Sequence, residues 1–222
     1  MIDINAIHYD KDIYPRKQHS NKTVNDYAES ILSGAKFPEI ELQQVQYNGE
    51  VKNVLVDGWH RWKAYEQVSK QGDLFANADD FKSIGYVYWK PDEVIDSENV
   101  VNMLLLKLRA AEANKGHGDR LKTDEKRLLA EETAEKTPKE EITQKKIADS
   151  LGVTQKTISN WIAHIRGRQN AGRDATILRL SMLGWTQEEI GENIGVNKST
   201  VNRVLQNIPI SKMQQEIQSF LE

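Results

Sequence analysis

The last third of this 222-residue chain contains the same pattern twice. The first copy is Thr143-Gln-Lys-Lys-Ile-Ala-Asp-Ser-Leu-Gly-Val153, and the second is Thr186-Gln-Glu-Glu-Ile-Gly-Glu-Asn-Ile-Gly-Val196. In each copy, apolar residues four positions apart predict a short helix with one buried face. The glycine that follows predicts a left-handed residue that ends this helix and lets the chain reverse. The repeat therefore predicts two helix-turn-helix units.

A second helix follows the turn in each copy, and Thr154 or Asn197 precedes it as the predicted capping residue. Small residues, Ala148 and Gly191, are placed where the two helices cross and allow a close approach. The residues predicted to be buried on the second helices are Ile158, Trp161, Val201 and Val204.

The opposite faces of these second helices are polar, with side chains that can pair with base edges or phosphates. The candidate DNA contacts are Thr154, Gln155, Lys156, Ser159, Asn160, Arg166 and Arg168 for the first copy, and Asn197, Lys198, Ser199, Asn202 and Arg203 for the second. A plain helical hairpin with a solvated face is the alternative. Two copies favour DNA binding over it, because a single motif match has a larger risk of being accidental.

Charge supports the same interpretation when it is counted locally. The whole chain has 30 basic and 33 acidic residues, which alone argues weakly against nucleic acid. Residues 150–173 nevertheless contain four basic residues and no acidic one, and residues 193–215 contain three and none. A solvated helix face usually mixes both signs, so the pattern favours a phosphate-facing surface.

Several classes of protein are disfavoured by composition. The chain has no cysteine, which excludes disulfides, thiolate metal sites and a cysteine nucleophile. It has no apolar run long enough to span a membrane and no signal-peptide pattern. We therefore expect a soluble cytoplasmic protein, associated with a nucleoid or plasmid, with no membrane partner.

The first half of the chain has a mixed pattern of helices and strands. Residues 26–34 predict a short helix, residues 40–47 and 52–56 predict a hairpin with its turn at Asn48-Gly49, and residues 84–89 predict a further strand. A helix carrying Trp62, Tyr65 and Val68 follows the hairpin. From about residue 99 the pattern is helical. The sequence thus predicts an α+β N-terminal domain followed by an all-α region with two helix-turn-helix units.

A possible anion site lies at the end of the second predicted strand, in Val56-Asp-Gly-Trp-His-Arg-Trp-Lys-Ala64. Gly58 occupies a strand-to-helix turn, and His60 and Arg61 fall in the first helical turn. Free backbone N–H groups and two cationic side chains are what a phosphate requires. The equally weighted alternative is a plain connection in which Trp59 and Trp62 are core residues and Arg61 makes a structural salt bridge.

This stretch resembles the phosphate-binding motif of the ParB/sulfiredoxin-like fold, a strand followed by Gly-Glu-Arg-Arg-x-Arg-Ala. The matching residues are Gly58, His60, Arg61, Lys63 and Ala64. Upstream, three features are similar to that family's opening motif: Tyr14-Pro-Arg16, the helix that ends in Ser30-Ile-Leu-Ser-Gly34, and Phe37-Pro38. Downstream, Glu112-Ala-Asn114-Lys-Gly-His117 stands where the family has Glu-Asn-x-x-Arg, and the stretch from Asn114 to Leu121 resembles its phage and plasmid members. The resemblance covers roughly residues 1–165.

The resemblance implies binding of CTP with Mg²⁺. It implies nucleotide contacts at Arg16, Gly58, His60, Arg61, Asn114 and His117, with Asn114 on the metal side. His117 is alternatively a structural or capping residue. Trp59 stands where the family has an acidic residue, and His60 and His117 stand where it has arginines. CTP hydrolysis is therefore left open.

The predicted domains are 1–113 (ParB/sulfiredoxin-like), 114–168 (first helix-turn-helix) and 169–222 (second helix-turn-helix and a terminal helix). The second helix-turn-helix unit and the short terminal helix differ from the pattern of chromosomal ParB proteins. These differences indicate a plasmid or phage member. Such a protein acts in partition, with a partner ATPase, or in transcription regulation, and we expect a homodimer on double-stranded DNA. Ile210, Met213, Ile217 and Leu221 form a stripe that predicts either a dimer contact or packing on the second unit.

Two other functions stay open from the sequence. A ParB-like, metal-dependent nuclease requires carboxylates and histidines around a divalent ion, for which Asp57, His60, Glu112 and His117 are candidates. A plain dimeric transcription factor with a vestigial nucleotide pocket requires only the helix-turn-helix units. A sulfinic acid reductase of the same fold is excluded because the chain has no cysteine.

Overall fold

The structure is a computed structural model, and it describes residues 1–14, 19–70, 81–115, 121–138 and 140–207. The described part is mixed α+β. The chain divides into two compact units, Met1–Ile162 and Ala163–Glu222. The three-domain division with boundaries after residues 113 and 168 stays a prediction.

The first unit contains the strands. They are β1 (Ile2–Asp3), β2 (Ile7–His8), β3 (Ile40–Tyr47), β4 (Glu50–Asp57), β5 (Ser83–Ile84), β6 (Tyr86–Tyr88) and β7 (Ile95–Asp96). The main sheet has the order β2-β4-β3-β6, with β7 also paired to β3, while β1 and β5 form a separate antiparallel pair. The antiparallel hairpin β3–β4 turns at Asn48 (φ 49°) and Gly49 (φ 87°). Two left-handed residues at such a turn match the twist of the strands.

The helices of the described chain are α1 (Asn21–Leu32), α2 (Trp59–Lys70), α3 (Val100–Ala113), α4 (Thr123–Lys136), α5 (Gln144–Leu151), α6 (Gln155–Met182), α7 (Gln187–Ile194) and α8 (Lys198–Asn207). None of these helices is long and apolar enough to cross a membrane. Helix α1 begins earlier than residue 26, because Ser20 Oγ accepts the backbone N–H of Thr23 and caps it at the earlier position.

The last part of β4, an inner strand of the main sheet, is buried on both faces. Leu55 of β4 packs in a cluster with Leu42 and Trp62, whereas its neighbours Val54 and Val56 pack in a second cluster with Leu106 of α3. Successive residues of a strand point to opposite faces, so β4 is covered on both sides. This packing fixes the end of β4, and with it the turn into α2.

The prediction of one continuous strand over residues 84–89 is wrong. Ile84 pairs with Ile2 in the small sheet, whereas Tyr86 pairs with Ile40 in the main sheet. The chain therefore changes sheets at Gly85. The two-residue strands β1, β2 and β7 were not predicted from the sequence, because strands this short are defined by their pairing and not by a local sequence pattern.

The second unit has an apolar cluster of its own. Ile177 of α6, Ile190 of α7, and Val201 and Val204 of α8 are buried together. These residues come from three helices, so the second copy of the repeat packs against the later part of α6 rather than standing as an isolated pair. The predicted terminal helix and its apolar stripe lie outside the described residues.

Candidate functional site

The turn between β4 and α2 requires a glycine. Gly58 has φ +101°, and a Cβ on it would stand 2.6 Å from Cγ2 of Ile40 in β3. Both the left-handed backbone and this close approach exclude a side chain. The Gly58 carbonyl accepts the backbone N–H of Trp62, which begins α2. The first N–H groups of α2 are thereby placed beside the start of β3.

Arg61 is tied into the fold at this turn. One terminal nitrogen, Nη1, donates to the carbonyl oxygens of Pro38 (2.7 Å) and Glu39 (2.6 Å), and Nη2 donates to Oδ2 of Asp57 (2.6 Å). Its side chain is only 14% exposed. This is the structural salt bridge that the sequence left as an alternative. A phosphate contact by Arg61 stays a prediction, and it requires at least part of this arrangement to be released.

His60 is also engaged. Its Nε2 accepts the backbone N–H of Ser20, at 3.3 Å, at the start of α1. Trp59 next to it lies edge-to-face with His60 (5.2 Å) and stacks on His19 (3.8 Å, 14° between planes). The aromatic cluster joins the first turns of α1 and α2.

A cavity of about 400 Å³ opens at this turn. It is lined by Tyr14, Tyr27, Phe37, Pro38, Glu39, Glu41, Asp57, Gly58, Trp59, His60, Arg61, Val87 and Asn114. Gly58, His60, Arg61 and Asn114, predicted separately as nucleotide contacts, are therefore brought to one place. Four aromatic rings and three carboxylates accompany them. Of the carboxylates, the sequence suggests only Asp57, as a nuclease candidate, and it does not predict Glu39 or Glu41 here.

The carboxylates of the cavity are partly neutralised by arginines. Arg109 of α3 binds Glu41 through two hydrogen bonds of 2.7 and 2.6 Å, and this bonding raises the pKa of Arg109 above its usual value. Arg61 pairs with Asp57. Glu39 is exposed, and its carboxylate makes no ion pair within the described residues. Two of the three negative charges are thus balanced before any ligand binds.

Asn114 follows the last residue of α3 and is 5% exposed. Its Nδ2 donates to the carbonyl oxygen of Ala110 (2.7 Å). The amide oxygen is the atom that a hard cation such as Mg²⁺ prefers, and a metal contact at Asn114 stays a prediction. Arg16 and His117, the other predicted nucleotide contacts, lie outside the described residues.

The cavity fits a nucleotide in part. Its volume and the N–H groups of α2 suit a phosphate-bearing ligand. Its side-chain cations do not, because Arg61 already serves Asp57 and two carbonyls. The Lys63 amine contacts Glu66 (2.6 Å) and lies over the Trp62 ring. Backbone groups rather than side chains are thus the anion donors that this arrangement offers.

The residues proposed for a nuclease site are held by other partners. Asp57 pairs with Arg61, His60 accepts from Ser20, and Glu112 lies 3.6 Å from Arg109. Over the part of the chain that the structure describes, no three histidine or acidic side chains are grouped to hold a metal ion. His117 lies outside that part, so the nuclease hypothesis stays a prediction.

The first helical pair consists of α5 and residues 155–162 at the start of α6. Thr154 Oγ1 accepts the backbone N–H of Thr157, so the second helix is capped as predicted. Thr143 Oγ1 accepts the backbone N–H of Lys146 and caps α5, which the sequence did not predict. Gly152 between the two helices has φ +62°. The prediction that Trp161 is buried is wrong: Trp161 is half-buried, and Ile162 is fully buried. Spacings of four and seven residues from Ile158 place Ile162 and Ile165 on the inner face.

The second helical pair consists of α7 and α8. Thr186 and Glu189 form a reciprocal capping box, and Gly195 has φ +70°. A Cβ on Gly191 would stand 2.6 Å from the carbonyl oxygen of Val196, so the predicted close crossing is present. Asn197 precedes α8 as predicted. Its backbone carbonyl oxygen, rather than its side chain, accepts the backbone N–H of Thr200, at 2.9 Å.

The outer faces of the two helical pairs are exposed. Gln155, Lys156, Ser159, Asn160, Lys198, Ser199 and Arg203 are exposed, and Asn202 is half-buried. Arg166 Nη1 donates to Gln169 Oε1 (2.8 Å), and Arg168 is exposed. Lys198 forms an ion pair with Glu188 that the sequence did not predict, because the two residues lie on different helices.

Comparisons with known proteins found no matching family model and no matching curated protein. Among solved structures, the chain is similar to the C-terminally truncated chromosome-partitioning protein ParB from Caulobacter crescentus complexed to the centromeric parS site. That similarity has a TM-score of 0.42 and 14% identity, over 98% of this chain and 97% of the other. The same protein complexed with CTP-γ-S has a TM-score of 0.36 and 16% identity, over 97% and 96% of the two chains. ParB structures are thus neighbours of this chain, at values that by themselves assign it no ligand or partner.

Proposed function

We propose that this chain is a ParB-like, sequence-specific protein that binds double-stranded DNA through its two helical pairs, which act as helix-turn-helix units. One observation carries the proposal. Each pair places an exposed polar helix face, free of acidic residues, behind a capped first helix and a left-handed glycine turn. A helix presented in this way enters the major groove by its first turns.

The chemistry of the exposed side chains divides into two roles. The amides of Gln155, Asn160 and Asn202 suit the donor and acceptor pair of adenine, and they are proposed to read sequence. Lys156 and Arg203 are proposed to contact phosphate and supply affinity. The remaining proposed contacts are Thr154, Ser159, Arg166, Arg168, Asn197, Lys198 and Ser199.

The test starts from the site that the full chain selects out of a random duplex library. Gln155→Ala and Asn202→Ala are each expected to weaken binding by about 1–3 kcal/mol, and only for one base position. Lys22→Ala is the matched control, since Lys22 is an exposed residue of α1 outside both helical pairs. Unchanged binding in both variants would show the assignment to be wrong.

The proposal includes CTP as a ligand of the cavity at Gly58. The cavity volume, the N–H groups at the start of α2 and the resemblance of residues 56–64 to the ParB phosphate motif support it. Asn114 is the proposed Mg²⁺-side residue, and His60 and Arg61 are the proposed side chains nearest the phosphates. Bound CTP would supply a triphosphate that Mg²⁺ can bridge.

Calorimetry with CTP, ATP, GTP and UTP in the presence of Mg²⁺ tests the nucleotide part by itself. We expect binding heat with CTP and none with the other three nucleotides. Phosphate released in the same samples reports any CTPase activity. No heat with any of the four nucleotides would retire the nucleotide part and leave DNA binding untouched.

A dimeric transcription factor with a vestigial pocket is the second candidate, and a specific observation favours it. Arg61 already satisfies two carbonyls and Asp57, so the turn is complete without a ligand. Both candidates require a homodimer on a palindromic or repeated site, because one short module supplies few phosphate contacts. Light scattering of the protein with its selected site tests this, and a monomer at micromolar concentration would contradict it. A role in partition, with a partner ATPase, or in transcription regulation is proposed from the resemblance.

A further inference from the structure

The two helical pairs share a pattern but differ in charge. Residues 143–161 contain three lysines and one aspartate, a net charge of +2. The equivalent residues 186–204 contain one lysine, one arginine and three glutamates, a net charge of −1. The difference is concentrated in the first helix, where Lys145 and Lys146 of α5 correspond to Glu188 and Glu189 of α7.

The cations of the first pair have no acidic partner in the part of the chain that the structure describes. Lys145, Lys146 and Lys156 are exposed, and none of them makes an ion pair with another described residue. A lysine in this state is available to a DNA phosphate. Its contact with the phosphate releases cations condensed on the DNA, and this release is the main source of salt-dependent affinity.

The equivalent surface of the second pair is neutralised from within. Lys198 Nζ lies 2.5 Å from Oε1 of Glu188, and both side chains are more than half exposed. The hydrogen bond from Lys198 holds the pKa of Glu188 below its usual value, so the carboxylate keeps its charge. A phosphate that approaches Lys198 meets this carboxylate and must displace it.

We infer that the two helical pairs have unequal roles on DNA: the first supplies the phosphate attraction, while Glu188 neutralises Lys198 and restrains the second from binding DNA regardless of sequence. The inference rests on the proposed DNA-binding function. An exposed ion pair is weak, so a cognate site can still displace it. The second pair then contributes where bases of the right sequence meet Ser199, Asn202 and Arg203. Glu188 is accordingly a specificity-determining residue that acts against non-specific DNA.

The experiment measures how the affinity of the full chain for a non-specific duplex and for its selected site depends on salt between about 50 and 200 mM. Glu188→Gln is expected to tighten non-specific binding several-fold and to steepen the plot of log K against log salt by about 0.9, because one more lysine becomes available. Lys156→Ala is expected to flatten the same plot by about 0.9. Lys198→Ala is expected to flatten the plot for the non-specific duplex by less than Lys156→Ala does, because Glu188 already neutralises Lys198.

Glu192→Gln is the matched control. Glu192 is an exposed residue of the same helix, and it has no ion pair among the described residues. The substitution removes the same charge without releasing Lys198, so the slope is expected to stay at the wild-type value. Circular dichroism melting curves that coincide with wild type establish that each variant is folded.

The possible results distinguish a failure of this inference from a failure of the proposed DNA-binding function. Equal slopes for Glu188→Gln and Glu192→Gln, with the selected site still bound, would overturn the inference and leave DNA binding in place. Equal losses of slope for Lys156→Ala and Lys198→Ala would also overturn it. A wild-type chain that binds no DNA under any of these conditions would refute the proposed function, and the inference with it.

Discussion

Arg61 and Asp57 form an ion pair across the turn at Gly58, with Nη2 of the arginine 2.6 Å from Oδ2 of the aspartate. The same guanidinium holds the carbonyls of Pro38 and Glu39, which precede β3. One side chain thus joins the end of β4, the first turn of α2 and the entry to β3. The wall of the cavity depends on a residue that the sequence also suggested as a ligand contact.

Arg61→Ala is expected to lower the free energy of unfolding by about 1.5–3 kcal/mol, the usual value for hydrogen bonds to a charged group. The loss arises because Asp57 and two carbonyl groups lose their donor in a partly enclosed place. Urea unfolding followed by tryptophan fluorescence measures it. An unchanged unfolding midpoint would mean that the arginine is dispensable to the fold and available to a ligand. Lys22→Ala serves as the control, since Lys22 is exposed on α1.

Gly191→Ala is expected to destabilise the second unit by about 1–3 kcal/mol, the usual cost of forcing an extra group into a packed place. The new methyl group would meet the Val196 carbonyl oxygen at 2.6 Å, and a backbone atom cannot swing aside. Gly172→Ala is the matched control, because Gly172 lies within α6 and a Cβ there has no neighbour within 4 Å. That control is expected to be neutral or slightly stabilising, since alanine favours helix more than glycine does. Calorimetric melting of both variants tests the pair, and equal melting temperatures would contradict the predicted clash.

The ion pairs of Glu132 are expected to make the stability of the protein depend on pH. Burial raises the pKa of this carboxyl, but hydrogen bonds from Lys107 of α3 and Lys136 of α4 outweigh burial and hold the pKa below its usual value. A depressed folded-state pKa stabilises the protein above the unfolded pKa of about 4.3, and the contribution is lost as the pH falls further. Glu132→Gln is therefore expected to cost roughly 1–2 kcal/mol at pH 7 and progressively less at an acidic pH below the unfolded pKa of about 4.3. Urea unfolding at neutral and at acidic pH measures this, and a cost that does not change with pH would exclude the ion pairs as its cause.

Much of the helical part follows from the sequence because its determinants are local. Thr143 and Thr154 cap helices within three residues of themselves, and Gly152 and Gly195 adopt the left-handed turn that their positions predicted. The error at Trp161 has a local cause as well. Trp161 has a residue type that is common in cores, but the helical period places Ile162 on the inner face.

The cavity was less predictable because its contacts join residues far apart in the chain. The Gly58 turn was recognised from its own residues, but Arg109 reaches Glu41 across 68 positions, and Ser20 reaches His60 across 40. No periodicity or motif reports such pairs. The two-residue strands escaped prediction for the same reason, since each exists only through its partner strand.

Lys115 joins the cavity to the first helical pair. Its neighbour in the chain, Asn114, lines the cavity, while the Lys115 amine donates to the carbonyl oxygen of Asp149 near the end of α5. Its side-chain carbons lie against the turn, where a Cβ on Gly152 would stand 2.9 Å from Cδ. A ligand that displaced Asn114 would therefore also move Lys115, which holds the C-terminal end of α5.

Lys115→Met keeps the aliphatic stem and removes the amine. If CTP binds the cavity and changes DNA affinity, this variant is expected to bind CTP as wild type does while the change in DNA affinity shrinks, because the two sites are coupled only through contacts that differ between states. Calorimetry for the nucleotide and fluorescence anisotropy for DNA, each with and without the other ligand, measure both quantities. Lys126→Met is the matched control, since Lys126 lines the same small pocket beside Lys115 and makes no ion pair within the described residues. Unaltered coupling in Lys115→Met would place the connection elsewhere in the first unit.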